Sequence, residues 1–227
     1  MIRHTINESF LRLIHEADKF NGAGELLDIM ASIISGYAVP LRAEHVTFFN
    51  DVIVPLHKVQ TCPFFFEKLV RCAMLFLTKD RTLGIQLLDG LLKYWPFAHA
   101  TKESLFLSEL REVLEIVEID AILGMESLIP RLFKRVAKSI CSSHVRVADS
   151  ALCLFESQSF LNIMGADKAT TFPIMVPAIA NLGKGHWLQS FQETFNALRN
   201  ILREMDPQAY DEALKMNPEE LKPFGTS

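Results

Sequence analysis

The sequence predicts an all-α protein built as a helical-repeat solenoid of about five antiparallel helix pairs. Apolar residues recur at three- and four-residue spacing along most of the chain, which is the helical period. The alternating pattern of a half-buried strand never extends beyond a few residues. Breaks near Pro40, Asp80 and Asp120 are evenly spaced by roughly forty residues, the period of HEAT-like helix pairs stacked into an α-α superhelix. A helical bundle is the structural alternative, and the regular spacing favours the solenoid.

The individual elements follow from apolar periodicity, caps and helix breakers. The predicted helices cover residues 5–19, 24–35, 43–54, 62–77, 81–94, 102–117, 130–141, 144–156, 159–164, 171–182, 187–205 and 207–216. Thr5, Thr101, Ser143 and Asp206 are the predicted N-caps, because their side-chain oxygens accept from the first free amides of a helix. We expect one solenoid domain over residues 1–216 and a disordered C-terminal tail over residues 217–227, where the sequence is polar and contains two prolines.

Glycine and proline residues predict where several helices end or become irregular. The second helix is expected to end at Gly36, with Pro40 in the turn that follows, because glycine tolerates the left-handed conformation that ends helices and proline blocks their continuation. Pro55 is expected to end the third helix. Pro173 and Pro177 predict a helix with irregular starts over residues 171–182.

Composition limits the functional classes. Of 227 residues, 49% are hydrophobic, which is ample for a sizeable core, and the net charge is −4. That charge provides no basic field for nucleic acid or an anionic membrane, so neither is an expected partner. The start of the chain lacks a signal-peptide core, and no apolar run approaches ~18 to 20 residues. We expect a soluble cytoplasmic protein, with a nuclear pool left open because no clear basic import run is present.

Catalytic and metal-binding patterns are missing from the sequence. The four cysteines are scattered without metal-ligand spacing, which favours buried free thiols over disulfides. The seven histidines stand apart, and each is expected in a loop or at the surface rather than as a ligand. The glutamates of one helix are expected to form a solvated acidic face rather than an acid–base set: Glu103, Glu109, Glu112, Glu115 and Glu118. We therefore predict no enzyme activity, no cofactor and no metal.

Four long blocks, in order along the chain, carry a resemblance. They are NGAGELLDIMASIISGYAVPLRAEH (21–45), LLKYWPFAHATKESLFLSELREVLEIVE (91–118), LIPRLFKRVAKSICSSHVRVADSALCLFE (128–156), and the pair HW (186–187) followed by TFNALRNILREMD (194–206). Together they resemble the regulatory B-prime subunits of protein phosphatase 2A, also called the 56-kDa family. A tryptophan–proline pair alone would be a weak signal, whereas four collinear blocks form a strong one.

The resemblance implies a non-catalytic subunit of the phosphatase. In that family a HEAT-like solenoid joins a scaffold subunit and a serine/threonine phosphatase catalytic subunit. It also recruits substrate proteins that carry a short LxxIxE motif, often with acidic or phosphorylated flanks. A helical-repeat adaptor that has kept the fold and no longer binds the phosphatase is the alternative, and an all-helical enzyme is the third hypothesis.

Four residues match the family's substrate-binding groove. Ile29 and Ile33 match the apolar floor for the motif's hydrophobic side chains, and they lie one turn apart on one helix face. Arg42 stands where the family commonly has lysine, and His45 matches a histidine. Those two imply a basic rim for a glutamate, an aspartate or a phosphate, and arginine can bind such groups bidentately. Ordinary core packing is the alternative role for the isoleucines, and a surface charge at a helix start is the alternative for Arg42.

The chain differs from the family in length, since family members are roughly twice as long. We expect it to correspond to the C-terminal half, with the preceding repeats and the HRxY-type wall of the groove lying before Met1 in relatives. A first helix without a neighbouring repeat is expected to expose Ile6, Phe10 and Leu13, and so to favour self-association.

Overall fold

The structure is a computed structural model that describes residues 2–16, 21–181 and 192–215, and all regular secondary structure in those ranges is helical. This confirms the all-α prediction, and the helices pack in pairs as a helical-repeat array requires. Contacts divide the chain into two compact units, Met1–Ala121 and Ile122–Ser227, which are described separately. The predicted single domain over residues 1–216 stays a prediction, and the predicted tail lies outside the described residues.

The first unit contains short and medium helices joined by brief turns. They are α1 (Ile2–His15), α2 (Ala23–Ser35), α3 (Ala43–Phe48), a π segment (Phe49–Ile53), α4 (Val54–Leu56), a 3-10 turn (Cys62–Phe64), α5 (Phe66–Leu77), α6 (Leu83–Lys93), α7 (Ala100–Ile116) and the start of α8 (Ile119–Leu123). The main packing pairs are α2 with α5 and α6 with α7, while α1 lies against α4 and the π segment.

The apolar face of α1 is part of the core of this unit. Ile6, Phe10 and Leu13 are all buried, so the expectation that they would be exposed is wrong. The reason is that α1 packs against the π segment and α4 of its own unit, which cover that face. Burying one such side chain stabilises the fold by about 1.5–3 kcal/mol, so packing inward is strongly preferred.

The helix that begins at Ala43 continues past the proline that was expected to end it. It runs through the π segment into α4 and ends at Leu56, so Pro55 lies inside it. At the junction the hydrogen bonds change register, because the amide of Val54 donates to the carbonyl of Phe49, five residues back. The missing N–H of Pro55 therefore falls where the regular ladder is already interrupted, and the chain tolerates it there.

The second unit is organised around one central helix. Its helices are α9 (Leu128–Ile140), α10 (Val145–Leu152), a 3-10 turn (Cys153–Glu156), α11 (Gln158–Ala166), α12 (Lys168–Asn181), α13 (Gln192–Met205) and α14 (Pro207–Lys215). Helix α12 packs against α9, α11, α13 and α14. It is continuous despite Pro173 and Pro177, and it starts earlier than predicted, because burial of most of its side chains outweighs the two missing amides.

Predicted caps give mixed results. Asp206 caps α14, since its Oδ1 accepts from the amide of Ala209 at 3.1 Å. The prediction for Thr101 is wrong: His99 precedes α7, and its Nδ1 accepts from the amide of Lys102 at 3.2 Å. Thr5 lies inside α1 rather than at its start. The predicted start of the helix near residue 187 lies outside the described residues.

Candidate functional site

Helix α2 has one face in the core and one face toward solvent. Its buried face packs on α5 and consists of Ala23, Leu27, Met30, Ala31 and Ile34. Ile29 lies on the opposite side with 46% of its surface exposed, and Ile33 is half-buried one turn further on. Core packing therefore does not explain Ile29. Its side chain is accessible to a ligand, as its predicted role as an apolar contact requires.

The segment that follows α2 returns to the end of that helix. The amides of Gly36 and Tyr37 donate to the carbonyls of Ile33 and Ile34 at 3.1 and 3.0 Å. The ring of Tyr37 then stacks on the ring of His45, with 3.7 Å between centroids and 3° between planes. The start of α3 is therefore fixed beside the C-terminal end of α2.

Arg42 lies at the N-cap position of α3 with its side chain 80% exposed. Its Nη1 is 3.9 Å from Oε1 of Glu44, a distance typical of a weak, solvent-screened ion pair. An arginine with this exposure presents most of its five donors to solvent, so it can approach a carboxylate or a phosphate in the bidentate geometry that guanidinium allows.

His45 is placed differently from Arg42. Only 8% of its side chain is exposed, because Tyr37 covers one face of the ring. Its Nδ1 accepts a long hydrogen bond from the amide of Arg42 at 3.4 Å, and its Nε2 lies 3.4 Å from Oε1 of Glu44. The structure thus brings His45 and Arg42 together at the start of α3, with Arg42 outside and His45 largely covered. The predicted binding role of His45 stays a prediction.

Sequence reasoning missed the residues that support this surface. Tyr37 and Glu44 lie within the stretch that carries the resemblance, but nothing in their spacing indicates a stacked ring or an ion pair. Lys79, from the turn after α5, donates through Nζ to the carbonyls of Ser35 and Tyr37 at 3.1 and 2.8 Å. More than forty residues separate it from these acceptors, so no local pattern could reveal the contact.

A second polar cluster lies deep in the same unit and corrects two expectations. His57 and Glu109 are both fully buried, whereas His57 was expected in a loop or at the surface and Glu109 on a solvated face. The Nδ1–H of His57 donates to the carbonyl of Val54 at 2.9 Å, and Nε2 lies 3.1 and 3.0 Å from the two carboxylate oxygens of Glu109. Because the carbonyl of Val54 and the carboxylate of Glu109 face the two ring nitrogens, the geometry favours an imidazolium paired with a carboxylate.

The charges around His57 explain its protonation. Burial disfavours the charged ring and by itself lowers the pKa of His57, but the charge and hydrogen bond of Glu109 and the carbonyl of Val54 outweigh it and raise that pKa. Lys102 lies nearby and opposes the increase; its Nζ donates to the carbonyl of Val59 at 2.9 Å. Burial also raises the pKa of the Cys62 thiol to about 12, so Cys62 is not a reactive thiolate.

This cluster has no access for a substrate, since His57 and Glu109 have no exposed surface. We interpret the His57–Glu109 cluster as structural.

The other glutamates of the predicted acidic face have two kinds of surroundings. Glu112, Glu115 and Glu118 are exposed as expected, whereas Glu103 accepts a hydrogen bond from Nε1 of Trp95 at 3.0 Å.

The described residues show few other candidate sites. An open cleft of about 290 Å³ lies between the start of α2 and the 3-10 turn, beside Phe64, which is 91% exposed.

Within the described ranges no group of three histidine, cysteine, aspartate or glutamate side chains could hold a metal ion. No helix in that part of the chain is both long enough and apolar enough to cross a membrane. No disulfide joins the four cysteines, all of which lie in the described ranges; Cys62 and Cys72 are buried, as predicted, while Cys141 is exposed.

Comparison with known proteins settles the family. The family model described as "Protein phosphatase 2A regulatory B subunit (B56 family)" matches residues 1–222. The chain belongs to the B56 family. Its family and its relatives are regulatory subunits of a phosphatase rather than catalytic enzymes, which agrees with the predicted lack of catalytic activity.

Several curated relatives show the same similarity. The chain is 38% identical over 212 residues to the serine/threonine-protein phosphatase 2A regulatory subunit pptr-1 of Caenorhabditis elegans, covering 93% of this chain and 38% of that protein. It is 37% identical over 205 residues to the 56 kDa regulatory subunit delta 2 isoform of Schizosaccharomyces pombe, covering 90% and 32%. It is 36% identical over 212 residues to the human 56 kDa regulatory subunit delta isoform, covering 93% and 35%. The chain therefore spans well under half the length of these relatives.

Proposed function

We propose that this B56-family chain acts as a regulatory and substrate-targeting part of the protein phosphatase 2A holoenzyme. In this role it binds the phosphatase scaffold and catalytic subunits and recruits substrate proteins that carry LxxIxE motifs. Family membership supports the regulatory role, and the geometry of α2 and the start of α3 supports the recruitment of peptides.

The exposed isoleucine of α2 is the observation that carries the proposal. Ile29 is solvent-exposed beside half-buried Ile33 on a helix whose other face already fills the core. An extended peptide with leucine and isoleucine at spaced positions gains stability by covering such a surface, because apolar area is removed from water on both partners.

Arg42 supplies the complementary charge. Acidic or phosphorylated groups flanking the motif gain a charge-assisted hydrogen bond with its exposed guanidinium. In this proposal the covered ring of His45 contributes its exposed edge and fixes the backbone that carries Arg42. The site thus combines apolar anchoring on α2 with anion recognition at the start of α3.

Peptide titration tests the recruitment step. An LxxIxE peptide with an acidic flank is titrated into the wild-type chain, Ile33→Ala and Arg42→Ala, with fluorescence anisotropy as the readout. We expect each variant to weaken binding about tenfold, the equivalent of about 1.4 kcal/mol. Ser32→Ala is the matched control, because Ser32 is exposed on the same helix and its hydroxyl donates to the carbonyl of Asp28 within that helix. Equal affinity of all four proteins would contradict the proposed site.

Co-purification tests the assembly step. The chain is mixed with the phosphatase scaffold and catalytic subunits and applied to size exclusion. We expect one peak that contains all three proteins. A folded chain that elutes alone, with peptide binding retained, would instead support a helical-repeat adaptor that no longer binds the phosphatase.

A further inference from the structure

The C-terminal end of α2 is held by a cation from a distant part of the chain. The carbonyls at a helix end have no partner within the helix, and a positive charge placed there is favoured by the helix dipole. Lys79 occupies this position and donates to the carbonyls of both Ser35 and Tyr37. The lysine is itself fixed, because its amide donates to the carbonyl of Phe76 at 3.0 Å, just beyond α5.

An aromatic stack fixes the same segment from the other side. The ring of Tyr37 stacks on the ring of His45, at 3.7 Å between centroids, and also contacts the ring of Phe76, whose centroid is 6.0 Å away at an interplanar angle of 59°. Phe76 is fully buried and belongs to α5. Residues from the end of α2 and from the start of α3 are therefore both attached to the last turn of α5.

These contacts of Lys79 and Tyr37 matter because the residues of segment 36–42 have little packing of their own. Gly36, Ala38, Val39 and Pro40 are exposed, and the segment 36–42 has no regular secondary structure. Ordering such a segment costs backbone entropy at every residue, so contacts at its two ends decide whether it is ordered before a ligand arrives. A binding group that is already ordered avoids that cost on association.

We propose that Lys79 is a positioning residue for Arg42: by holding Ser35 and Tyr37 on the end of α5, it orders segment 36–42 and presents the guanidinium to the acidic flank of a bound peptide. This inference rests on the proposed function, because it assumes that the peptide lies along the isoleucines of α2. Lys79 itself needs no contact with the peptide.

The chain offers a matched control lysine between the same two helices. Lys68 of α5 pairs with Asp28 of α2 at 2.7 Å, and both side chains are substantially exposed. This pair bridges α5 and α2 through the middle of α2 rather than through segment 36–42. Removing the Lys68–Asp28 pair tests what orders segment 36–42. The order depends either on any ion contact between α2 and α5 or on the particular position of Lys79.

The experiment compares Lys79→Met, Lys79→Arg and Lys68→Met in the full chain. Hydrogen exchange is measured for the amides of residues 36–45, and affinity is measured for two LxxIxE peptides that differ only in an acidic or a neutral flank. For Lys79→Met we expect exchange in this segment to rise at least about fivefold. We also expect the preference for the acidic flank to fall at least about threefold while affinity for the neutral peptide stays within about twofold. We expect Lys79→Arg to keep the wild-type exchange rate in residues 36–45 and the wild-type preference for the acidic flank. We expect Lys68→Met to change neither the exchange rate nor the preference.

Two results would overturn the inference. Unchanged exchange in Lys79→Met would show that the lysine does not order the segment. Faster exchange with an undiminished preference for the acidic flank would show that Arg42 does not depend on that order. Failure of the wild-type chain to bind either peptide would overturn the proposed function instead, and the exchange measurement would then decide alone whether Lys79 orders the segment.

Discussion

Two histidine–glutamate contacts in the same unit have opposite surroundings. His57 and Glu109 are 3.0 Å apart and fully buried, whereas His45 and Glu44 are 3.4 Å apart with Glu44 63% exposed. In the buried pair both ring nitrogens face oxygen atoms, and the pKa of His57 is raised, so the charged ring is favoured. In the surface pair Nδ1 accepts from an amide, so the neutral tautomer with hydrogen on Nε2 fits the geometry.

The two contacts contain the same residue types, and what distinguishes them is whether the glutamate is exposed or buried. Glu44 is exposed and screened by water, and the covered ring of His45 fits the neutral form, so the ionic contribution of this surface pair to stability is small. Its position beside Arg42 suits ligand recognition. The buried pair is shielded from water, and removing either partner leaves an uncompensated charge in the interior. One pair therefore maintains the packing of α4 and α7, while the other shapes a surface.

The largest expected effect comes from breaking the buried pair. Glu109→Ala leaves the His57 imidazolium unpaired, and we expect the free energy of unfolding to fall by about 3–5 kcal/mol in urea denaturation followed by circular dichroism. The control is the double variant His57→Leu/Glu109→Leu, which removes both charges and recovers most of the loss. A loss below about 1 kcal/mol for Glu109→Ala would show that His57 and Glu109 do not form a structural ion pair.

The buried pair also predicts how stability depends on pH. The pKa of His57 is raised in the folded state, so the pair's contribution is fully present below the unfolded value of about 6.5 and is lost as pH rises through the folded pKa. Over that window this residue lowers the free energy of unfolding by up to about 1.4 kcal/mol per pH unit. Urea denaturation at about pH 6, 7 and 8 measures the slope.

The matched comparison for the pH effect is Glu109→Gln. It removes the charge that raises the pKa of His57, so the contribution of His57 to the alkaline loss of stability disappears. If the wild type and Glu109→Gln show the same slope over this pH range, His57 does not carry the effect.

The smallest expected effect is at the surface pair. Glu44→Ala changes the free energy of unfolding by less than about 0.5 kcal/mol, because exposed ion pairs contribute little. It also removes the carboxylate 3.9 Å from Arg42, so affinity for a peptide with an acidic flank rises about twofold in an anisotropy titration. Weaker binding by Glu44→Ala would mean that Glu44 supports the site rather than competing for Arg42.

Local pattern was sufficient for much of the fold. The spacing of apolar residues predicted α2 over residues 24–35, one residue from the helix in the structure, because that helix is amphipathic and ends at a glycine. It failed where tertiary packing overrides local chemistry. Pro55 lies inside a helix because its missing amide falls at the register change of the π segment. Pro173 and Pro177 lie inside α12 because burial of the surrounding side chains outweighs the missing amides.

The site was predictable only in part. Resemblance identified Ile29, Ile33, Arg42 and His45. The structure exposes Ile29 and Arg42 to solvent, whereas His45 is largely covered. The supporting residue Lys79 could not be predicted, because its bonds join residues far apart in sequence. The pairing of His57 with Glu109 was missed for the same reason, because 52 residues separate them. Spacing within α7 did contain a signal for the glutamate, since Glu109 lies three residues after Phe106 and four before Val113 and so shares their buried face.

Hydrogen exchange with and without a saturating LxxIxE peptide distinguishes the recognition surface from the structural pair. We predict slower exchange in residues 36–45 and along α2, with unchanged exchange in α7 around Glu109. Binding that leaves residues 23–45 unchanged, or that protects α7 instead, would contradict the assignment of recognition to the surface pair and of stability to the buried one.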